Sequence, residues 1–511
     1  DHTPHGTERV LAAPGGPAPI VAHREPRSLM EEEQAMAELE RECEVVVVGA
    51  GYSGLAAARH LARSGEDVLV LDARHRVGGR SFTDVTEAGF TIDRGGQWIG
   101  PTQDHLARLA TELGVATFPT YTTGQGVELR DGTRDLYVGL IPTSDPHGAA
   151  DGIAGMLDLD LAAFDVPTEA PWDAPDAATL DAQTLASWFD THLSSASARD
   201  ILEVAVKAVF GTGSGELSLL FALFYLHAGG GLTNLARSTG GAQERRFAGG
   251  SQQLARGMAD ELGDRVILGA PVETVAHGPD EVVVGARLVR PDADPADPSA
   301  EHRSLRVRAR RAILAMSPVL CGRLAYTPAL PGRRDQLCQR MPMGAVTKIH
   351  VIYDGPFWRD DGLNGQIVAP RSAMGATFDN SPEDASHGEI VGFIVGDDCR
   401  RLESAGPEVR RELMLADLEL AFGPRARTPI EVVEQHWPAE PFTRGGPVAV
   451  SSPGALTALG PALRDPVGPL HWAGTETATE WCGYLDGALS SGLRAAEEVL
   501  RALKGEPVGL D

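Results

Sequence analysis

Val45-Val-Val-Val48-Gly49-Ala50-Gly51-Tyr52-Ser53-Gly54 decides the reading of this chain. Four β-branched apolar residues in a row suit a strand buried on both faces. The three glycines that follow each have a physical purpose. Gly49 permits a tight turn, Gly51 lets the backbone approach a pyrophosphate, and Gly54 lets the next helix pack closely on the strand. A helix is expected from Leu55 to Ser64, with its N-terminal N–H groups turned to the phosphates. A second apolar strand, Val68-Leu-Val-Leu71, then ends in Asp72, about 20 residues beyond Gly51, where a carboxylate can hold a ribose 2′-OH. The same charge repels a 2′-phosphate, which argues against NADP. A glycine triplet alone is weak, but here it sits inside a complete βαβ unit. Both NAD and FAD remain open at this point.

The following residues narrow the choice. Arg74-His-Arg76-Val-Gly78-Gly79-Arg80 continues from the second strand, and Asp93-Arg-Gly95-Gly96-Gln97-Trp98 comes shortly after. Two further glycines and an arginine beside a pyrophosphate add backbone approach and a bidentate cation. Near the other end stands His471-Trp-Ala-Gly474-Thr-Glu476-Thr-Ala-Thr-Glu-Trp481-Cys-Gly483-Tyr484-Leu485-Asp-Gly487-Ala488. Between them lie Gly240-Gly-Ala-Gln243-Glu-Arg-Arg-Phe247-Ala-Gly-Gly250-Ser and Met343-Gly-Ala-Val-Thr-Lys348, the latter leading to Pro356-Phe-Trp358.

Counting Arg74–Trp98 as one, these four stretches, taken in chain order, resemble the flavin amine oxidase family from about residue 44 to 504. The closing run is similar to that of the monoamine oxidases nearly residue for residue. The resemblance implies an α/β fold: a Rossmann-like, discontinuous FAD-binding domain of the GR2 type, plus an α+β substrate domain with a mixed sheet. The expected FAD-binding segments are 44–120, 241–335 and 441–511. The substrate segments are 121–240 and 336–440, and 1–43 forms a tail and a helix running from Ser28 to about Glu42.

The cofactor implied is FAD, held without a covalent bond. The glycine-rich turn gives Gly49, Gly51, Ser53, Gly54 and Asp72 as its contacts. The resemblance adds Ala73, Arg74, Gly78, Gly79, Arg80, Gly96, Gln97, Trp98, Ile99, the backbone of Val272 on the adenine side, Gly474, Glu476, Gly483, Tyr484, Leu485 and Ala488. A helix opening near Gly483 would aim its positive end at the flavin, where negative charge develops on reduction. The activity implied is oxidation of an amine C–N bond to an imine by hydride transfer to flavin N5. Oxygen then takes the electrons and gives hydrogen peroxide.

Three residues carry the expected chemistry. By its surroundings in the sequence Lys348 reads as a strand-edge surface lysine, whereas the resemblance makes it a buried group that holds a water near the flavin and assists the reaction with oxygen. Tyr484 matches one of two tyrosines flanking the substrate nitrogen. Gln243 matches a pocket glutamine, although Ala242 is an extra residue before it. At Gly445-Gly446-Pro447-Val448 the family's covalently linked members carry Cys and Tyr after the glycine pair. The linkage cysteine and the second tyrosine are therefore absent, and a wider pocket is expected on the Val448 side. Cys482 is not at the linkage position and is expected to pack.

Bulk properties bound the remainder. The formal charge of −26 disfavours nucleic acid and anionic membranes as partners. Five cysteines without CxxC or metal spacing read as reduced thiols of an intracellular, cytoplasmic protein. No run of about 18 apolar residues suggests a transmembrane helix. The expected partners are a small-molecule amine and oxygen, with a homodimer compatible. Two other readings are an L-amino-acid oxidase or biosynthetic C–N oxidase acting on a large substrate, and a flavin-binding protein without turnover.

Overall fold

Parallel strands meet the cavity of this protein with their carboxyl ends, and the rest of the architecture follows from how those ends are held. The computed structural model describes residues 39–506, within one compact unit (Glu38–Asp511). The strand Leu39–Val48 pairs in parallel with Val68–Leu71 on one side and His302–Ala315 on the other. Val266–Ile267 extends the sheet beyond Val68–Leu71, and Leu470–Ala473 pairs in parallel with the last residues of His302–Ala315. The first half of that long strand instead pairs antiparallel with Val282–Val289, which leads to Val272–His277 and Ala325–Thr327. Eight strands thus form one sheet among the described residues. Val45, Val46 and Val47 are fully buried in it, each contributing about 1.5–3 kcal/mol of apolar burial.

A seven-stranded sheet forms the second layer system, in the order Glu431–His436, Val346–Tyr353, Gly388–Val395, Gly375–Asp379, Leu363–Ala369, Gln125–Arg130, Thr133–Tyr137. The helices Pro146–Phe164, Ala196–Phe210 and Leu219–Ala228 pack into their own apolar core, which includes Met156, Leu202, Phe210 and Tyr225. The two sheets draw their strands from interleaved parts of the chain, as a discontinuous Rossmann-like fold beside a mixed substrate sheet requires.

Two helices are set by close approach. In Tyr52–Arg63, a Cβ added at Gly54 would lie 1.9 Å from the Gly49 carbonyl oxygen, so only glycine admits the contact. The C-terminal helix Leu485–Leu503 lies across it, where a Cβ at Gly492 would fall 2.1 Å from the Ser53 carbonyl. Ser53 and Ser491 hydroxyls bond at 3.2 Å across this crossing.

Two expectations are corrected here. The helix expected over Ser28–Glu42 lies outside the described residues up to position 38; from Leu39 onward the chain is strand, because Leu39, Arg41 and Cys43 pair with Leu305, Val307 and Ala309. The stretch 291–304, dense in Pro and Asp, reads in sequence as a surface loop, but the long strand already begins at His302. No helix among the described residues is long and apolar enough to cross a membrane.

Candidate functional site

One cavity of about 980 Å³ runs from the glycine-rich turn to the core of the seven-stranded sheet. Its floor at the first end is made by the carboxyl ends of parallel strands: Val48 with Gly49, Leu71 with Asp72, Ala315 with Met316, and Gly474 after Leu470–Ala473. This is where open α/β sheets place ligands. Gly49 has φ +107°, a left-handed conformation that favours glycine, and a Cβ there would sit 2.7 Å from the Ala315 carbonyl. The helix Tyr52–Arg63 starts at Gly51 with no side-chain cap, leaving its positive N-terminus to a ligand. Asp72 accepts the N–H of Ala50 at 2.7 Å and of Arg74 at 2.8 Å. Burial pushes its carboxyl above the ordinary range, against the pull of Arg74 and those two N–H groups.

At the other end stand Gln97, Trp98, Lys348, Phe378, Phe393, Tyr225 and Tyr484. Lys348 is buried at 3% exposure on an inner strand, flanked by Gly388–Val395 and Glu431–His436. The surface reading of this lysine is therefore wrong. Its Nζ donates to the carbonyls of Asp93 (2.5 Å) and Gly95 (2.9 Å) and to Oε1 of Gln97. All three are protein acceptors, so a water at Nζ would have to displace one of them. Burial lowers the Lys348 pKa to about 8, against the opposing effects of Asp93 and Glu389. The Trp98 and Phe393 rings lie 5.8 and 6.0 Å from Nζ.

Most of the expected contacts line this single cavity: Gly49, Gly51, Ser53, Asp72, Ala73, Arg74, Gly78, Gly79, Arg80, Gly96, Gln97, Trp98, Gln243, Val272, Lys348, Gly474, Gly483, Tyr484, Leu485 and Ala488. Gly54, Ile99 and Glu476 stand behind its wall. Gly54 is spent on helix packing, and Ile99 is a core residue at 6% exposure. Glu476 takes both Arg80 nitrogens, at 2.6 and 3.0 Å, and the Ala449 N–H at 3.1 Å. Burial disfavours its carboxylate, yet Arg80 outweighs that and holds the pKa below the usual range. Glu476 thus reaches the cavity through Arg80, which also donates to the Pro447 carbonyl at 2.7 Å.

Gln243 donates to the Leu235 carbonyl at 2.9 Å, and its Oε1 is buried without a partner. The wall expected at Val448 is made by Gly446 and Pro447 instead, because Val448 is fully buried in the helical core. A Cβ at Gly446 would meet nothing within 4 Å, so the space there is open. The sequence reading missed Tyr225, whose ring lies 6.2 Å from that of Tyr484 and is tilted 44° to it. It sits in the run Leu219–Ala228, apolar on every face apart from His227 near its end, where no periodicity marks one face. None of the five cysteines lines the cavity, and Cys482 is buried among the helices.

The chain's donors suit a flavin dinucleotide. Ser317 Oγ and Trp98 Nε1 are buried, line the cavity and have no partner. The helix Leu485–Leu503, beginning beside Tyr484, also lacks a side-chain cap. Two uncapped helix ends therefore open on one elongated cavity, where a diphosphate at one and a ring gaining negative charge at the other would each be favoured.

Comparison with known proteins agrees. Residues 52–500 match the model of the flavin containing amine oxidoreductases. A Mycobacterium tuberculosis relative assigned to the flavin-containing monoamine oxidases is 40% identical over 90% of this chain and 97% of its own. An L-amino acid dehydrogenase of Synechocystis is 34% identical over 90% and 95%. Among solved structures, putrescine oxidase bound to putrescine superposes with a TM-score of 0.84 at 32% identity, covering 90% of this chain and 99% of that one. Cyclohexylamine oxidase from Brevibacterium oxydans gives 0.84 at 32%, covering 91% and 100%. By sequence over most of its length and by fold, this chain belongs to the flavin-containing amine oxidase family.

Proposed function

We propose that this flavoprotein oxidises a neutral monoamine with a bulky apolar substituent and passes the electrons to oxygen, giving hydrogen peroxide. The observation that carries the reading is the continuity of one cavity from the nucleotide turn to the aromatic end with Lys348, Gln97 and Tyr484. Bound FAD supplies the acceptor for a hydride equivalent, taken at N5 from the carbon bearing nitrogen, and leaves an imine that water hydrolyses.

The chain's own residues do the rest. Asp72, Arg80 and the uncapped helix at Gly51 hold the nucleotide, and Gln97, Trp98 and Leu485 line the space for the ring. Tyr484 and Tyr225 orient the amine against it. Met156, Ile201, Leu202, Val204 and Val209 make the substrate end apolar, which excludes water and favours the uncharged amine. The acids lining the cavity are Asp72 and Glu273, both on the nucleotide-binding sheet. A diamine's second ammonium would meet no carboxylate at the apolar end, so a monoamine fits better. Because no cysteine lines the cavity, the cofactor is held without a thioether.

A second reading rests on Arg237. It lines the same cavity, is exposed, and its guanidinium has no hydrogen-bond or ion partner among the described residues. An arginine so placed could take the carboxylate of an α-amino acid, in line with the Synechocystis relative's name. Anaerobic mixing with apolar monoamines, diamines and L-amino acids, followed by flavin bleaching, separates the readings. Reduction by apolar monoamines alone supports the first; reduction by amino acids that Arg237→Leu abolishes supports the second.

A further inference from the structure

Behind Lys348 and Gln97, which line the cavity, the seven-stranded sheet buries Asn380, Glu389 and His350, which do not line it and which neither cofactor binding nor amine contact uses. Gln97 accepts from Lys348 with Oε1 and donates with Nε2 to Asn380 Oδ1 at 2.5 Å. Asn380 donates in turn to Glu389 Oε1 at 2.6 Å, and the same oxygen meets His350 Nδ1 at 2.6 Å. All five side chains are at most 3% exposed. They come from four segments. Lys348 and His350 share one face of Val346–Tyr353 at the two-residue period of a strand. Glu389 lies diagonally across from His350, because His350 pairs with Val391. Asn380 follows Gly375–Asp379, and its backbone N–H bonds the Glu389 carbonyl at 2.7 Å.

The chain has a direction. A lysine ammonium only donates and a carboxylate only accepts. Gln97 must therefore show its oxygen to Lys348, and its NH₂ then faces Asn380. Asn380 must in turn show its oxygen to Gln97 and its NH₂ to Glu389. The two ends fix both amide orientations, and both dipoles align from the anion to the cation. His350 completes the anionic end: burial holds it below its ordinary pKa, and its Nε2 has no partner, which suits a neutral ring donating from Nδ1. Arg246 clamps the segment by donating to the Asn380 carbonyl at 2.7 Å and to the Ser381 carbonyl.

We propose that Glu389, seated by His350 and acting through Asn380 and Gln97, is a positioning residue that fixes the orientation and charge of Lys348 at the cavity wall. The proposal rests on the flavin reading above only for what Lys348 faces. The charged and titratable groups around Lys348 are Asp93 from Thr91–Asp93, Arg94 beyond it, Glu389 from Gly388–Val395, Arg246 from Arg245–Phe247 and His350 on its own strand. His387 Nε2 faces Glu389 Oε2 at 4.0 Å from the preceding turn. Removing the Glu389 charge removes one of the two anions that support the Lys348 ammonium.

The test uses the holoenzyme reduced anaerobically by dithionite, so that no amine is needed. Its reoxidation by oxygen is followed from neutral to alkaline pH, together with the pH dependence of the oxidised flavin spectrum. In the wild type both should show an inflection near 8, the Lys348 pKa, and Lys348→Met should remove it. Glu389→Gln should retain FAD and move the inflection down by roughly half a pH unit or more. Asn380→Ala should move it the same way with Glu389 and His350 intact, so the proposal stays testable if one variant fails to fold. In the Lys348→Met background neither substitution should alter the profile further. An inflection that is absent from the wild type, survives Lys348→Met, or is unmoved in a folded Glu389→Gln or Asn380→Ala protein overturns the proposal. Failure of every amine to reduce the flavin would instead count against the proposed function and leave this result intact.

Discussion

Substituting Glu476 by glutamine is a sharp test of how Arg80 is held. The carboxylate is 1% exposed, takes both guanidinium nitrogens and one backbone N–H, and faces an arginine that is 26% exposed on the cavity wall. Glutamine keeps the shape but offers one oxygen to three donors and leaves Arg80 without a counter-charge. Breaking a buried pair from one side costs about 3–5 kcal/mol, and partial exposure of Arg80 reduces that to about 2–4 kcal/mol. Unfolding entropy near 2 cal/mol/K per residue comes to about 1 kcal/mol/K for 511 residues, so Tm should fall by roughly 2–4 °C. FAD content after dialysis should fall too, since Arg80 lines the cavity. The assay is differential scanning fluorimetry with flavin fluorescence. Replacing both partners, Arg80→Met with Glu476→Leu, should recover part of the loss of Tm. An unchanged Tm and FAD content in Glu476→Gln would refute the reasoning. So would a flavin spectrum that Glu476→Gln still alters in an Arg80→Met background, since Glu476 would then touch the cofactor itself.

Acid or heat should release free FAD, because no cysteine reaches the cavity; flavin that precipitates with the polypeptide contradicts this. Lys348→Met should slow reoxidation about 10-fold or more, equivalent to roughly 1.4 kcal/mol of barrier, with stopped-flow absorbance as the check. Its effect on stability has a defined sign. The folded pKa of Lys348 is about 8, below the ordinary 10.5, so above pH 8 the unfolded chain binds more protons and stability rises with pH until the unfolded value is reached. The wild type should gain about 3 kcal/mol relative to Lys348→Met across that window; parallel stability curves for the two proteins would rule the shift out. In the reductive half-reaction the rate should climb with pH through the pKa of the bound amine, because only the neutral form has a free lone pair. Tyr484→Phe should cost little and Tyr484→Ala far more; equal losses would mean that the ring is not what matters.

What could be read from sequence was local. Val45–Val48 and the Gly49, Gly51, Gly54 spacing are short-range demands of a turn and a helix start; Gly49 and Gly54 each meet the backbone contact that requires glycine, while a Cβ at Gly51 would meet only Gly79 Cα at 4.0 Å and so faces open cavity. Leu39–Cys43 could not be read that way. The acidic residues after Ser28 suit a helix start and carry the helix reading on to about Glu42, but pairing with Leu305–Ala309 makes Leu39–Cys43 a strand, and tertiary contact overrides propensity. The alternation of buried Leu305, Val307 and Ala309 with exposed Arg306, Arg308 and Arg310 was legible and was passed over. The site divided in the same way. Motif residues within one stretch, such as Gly78, Gly79 and Arg80, fell on the cavity. Tyr225 and the polar chain behind Lys348 did not show, because Gln97, Asn380 and Glu389 lie on separate segments brought together only by sheet register. Glu476 was seen, but whether it meets the ligand or Arg80 is a matter of side-chain geometry.

The central claim is that one cavity couples amine oxidation to oxygen reduction. Its most direct measurement is a single-turnover experiment on the purified yellow protein. Mixed anaerobically with an apolar monoamine, the flavin absorbance should bleach fully. On admission of oxygen it should recover, with about one peroxide formed per flavin and one carbonyl product per amine consumed. A flavin that no monoamine bleaches, or that bleaches and then stays reduced in oxygen without peroxide, would contradict the account.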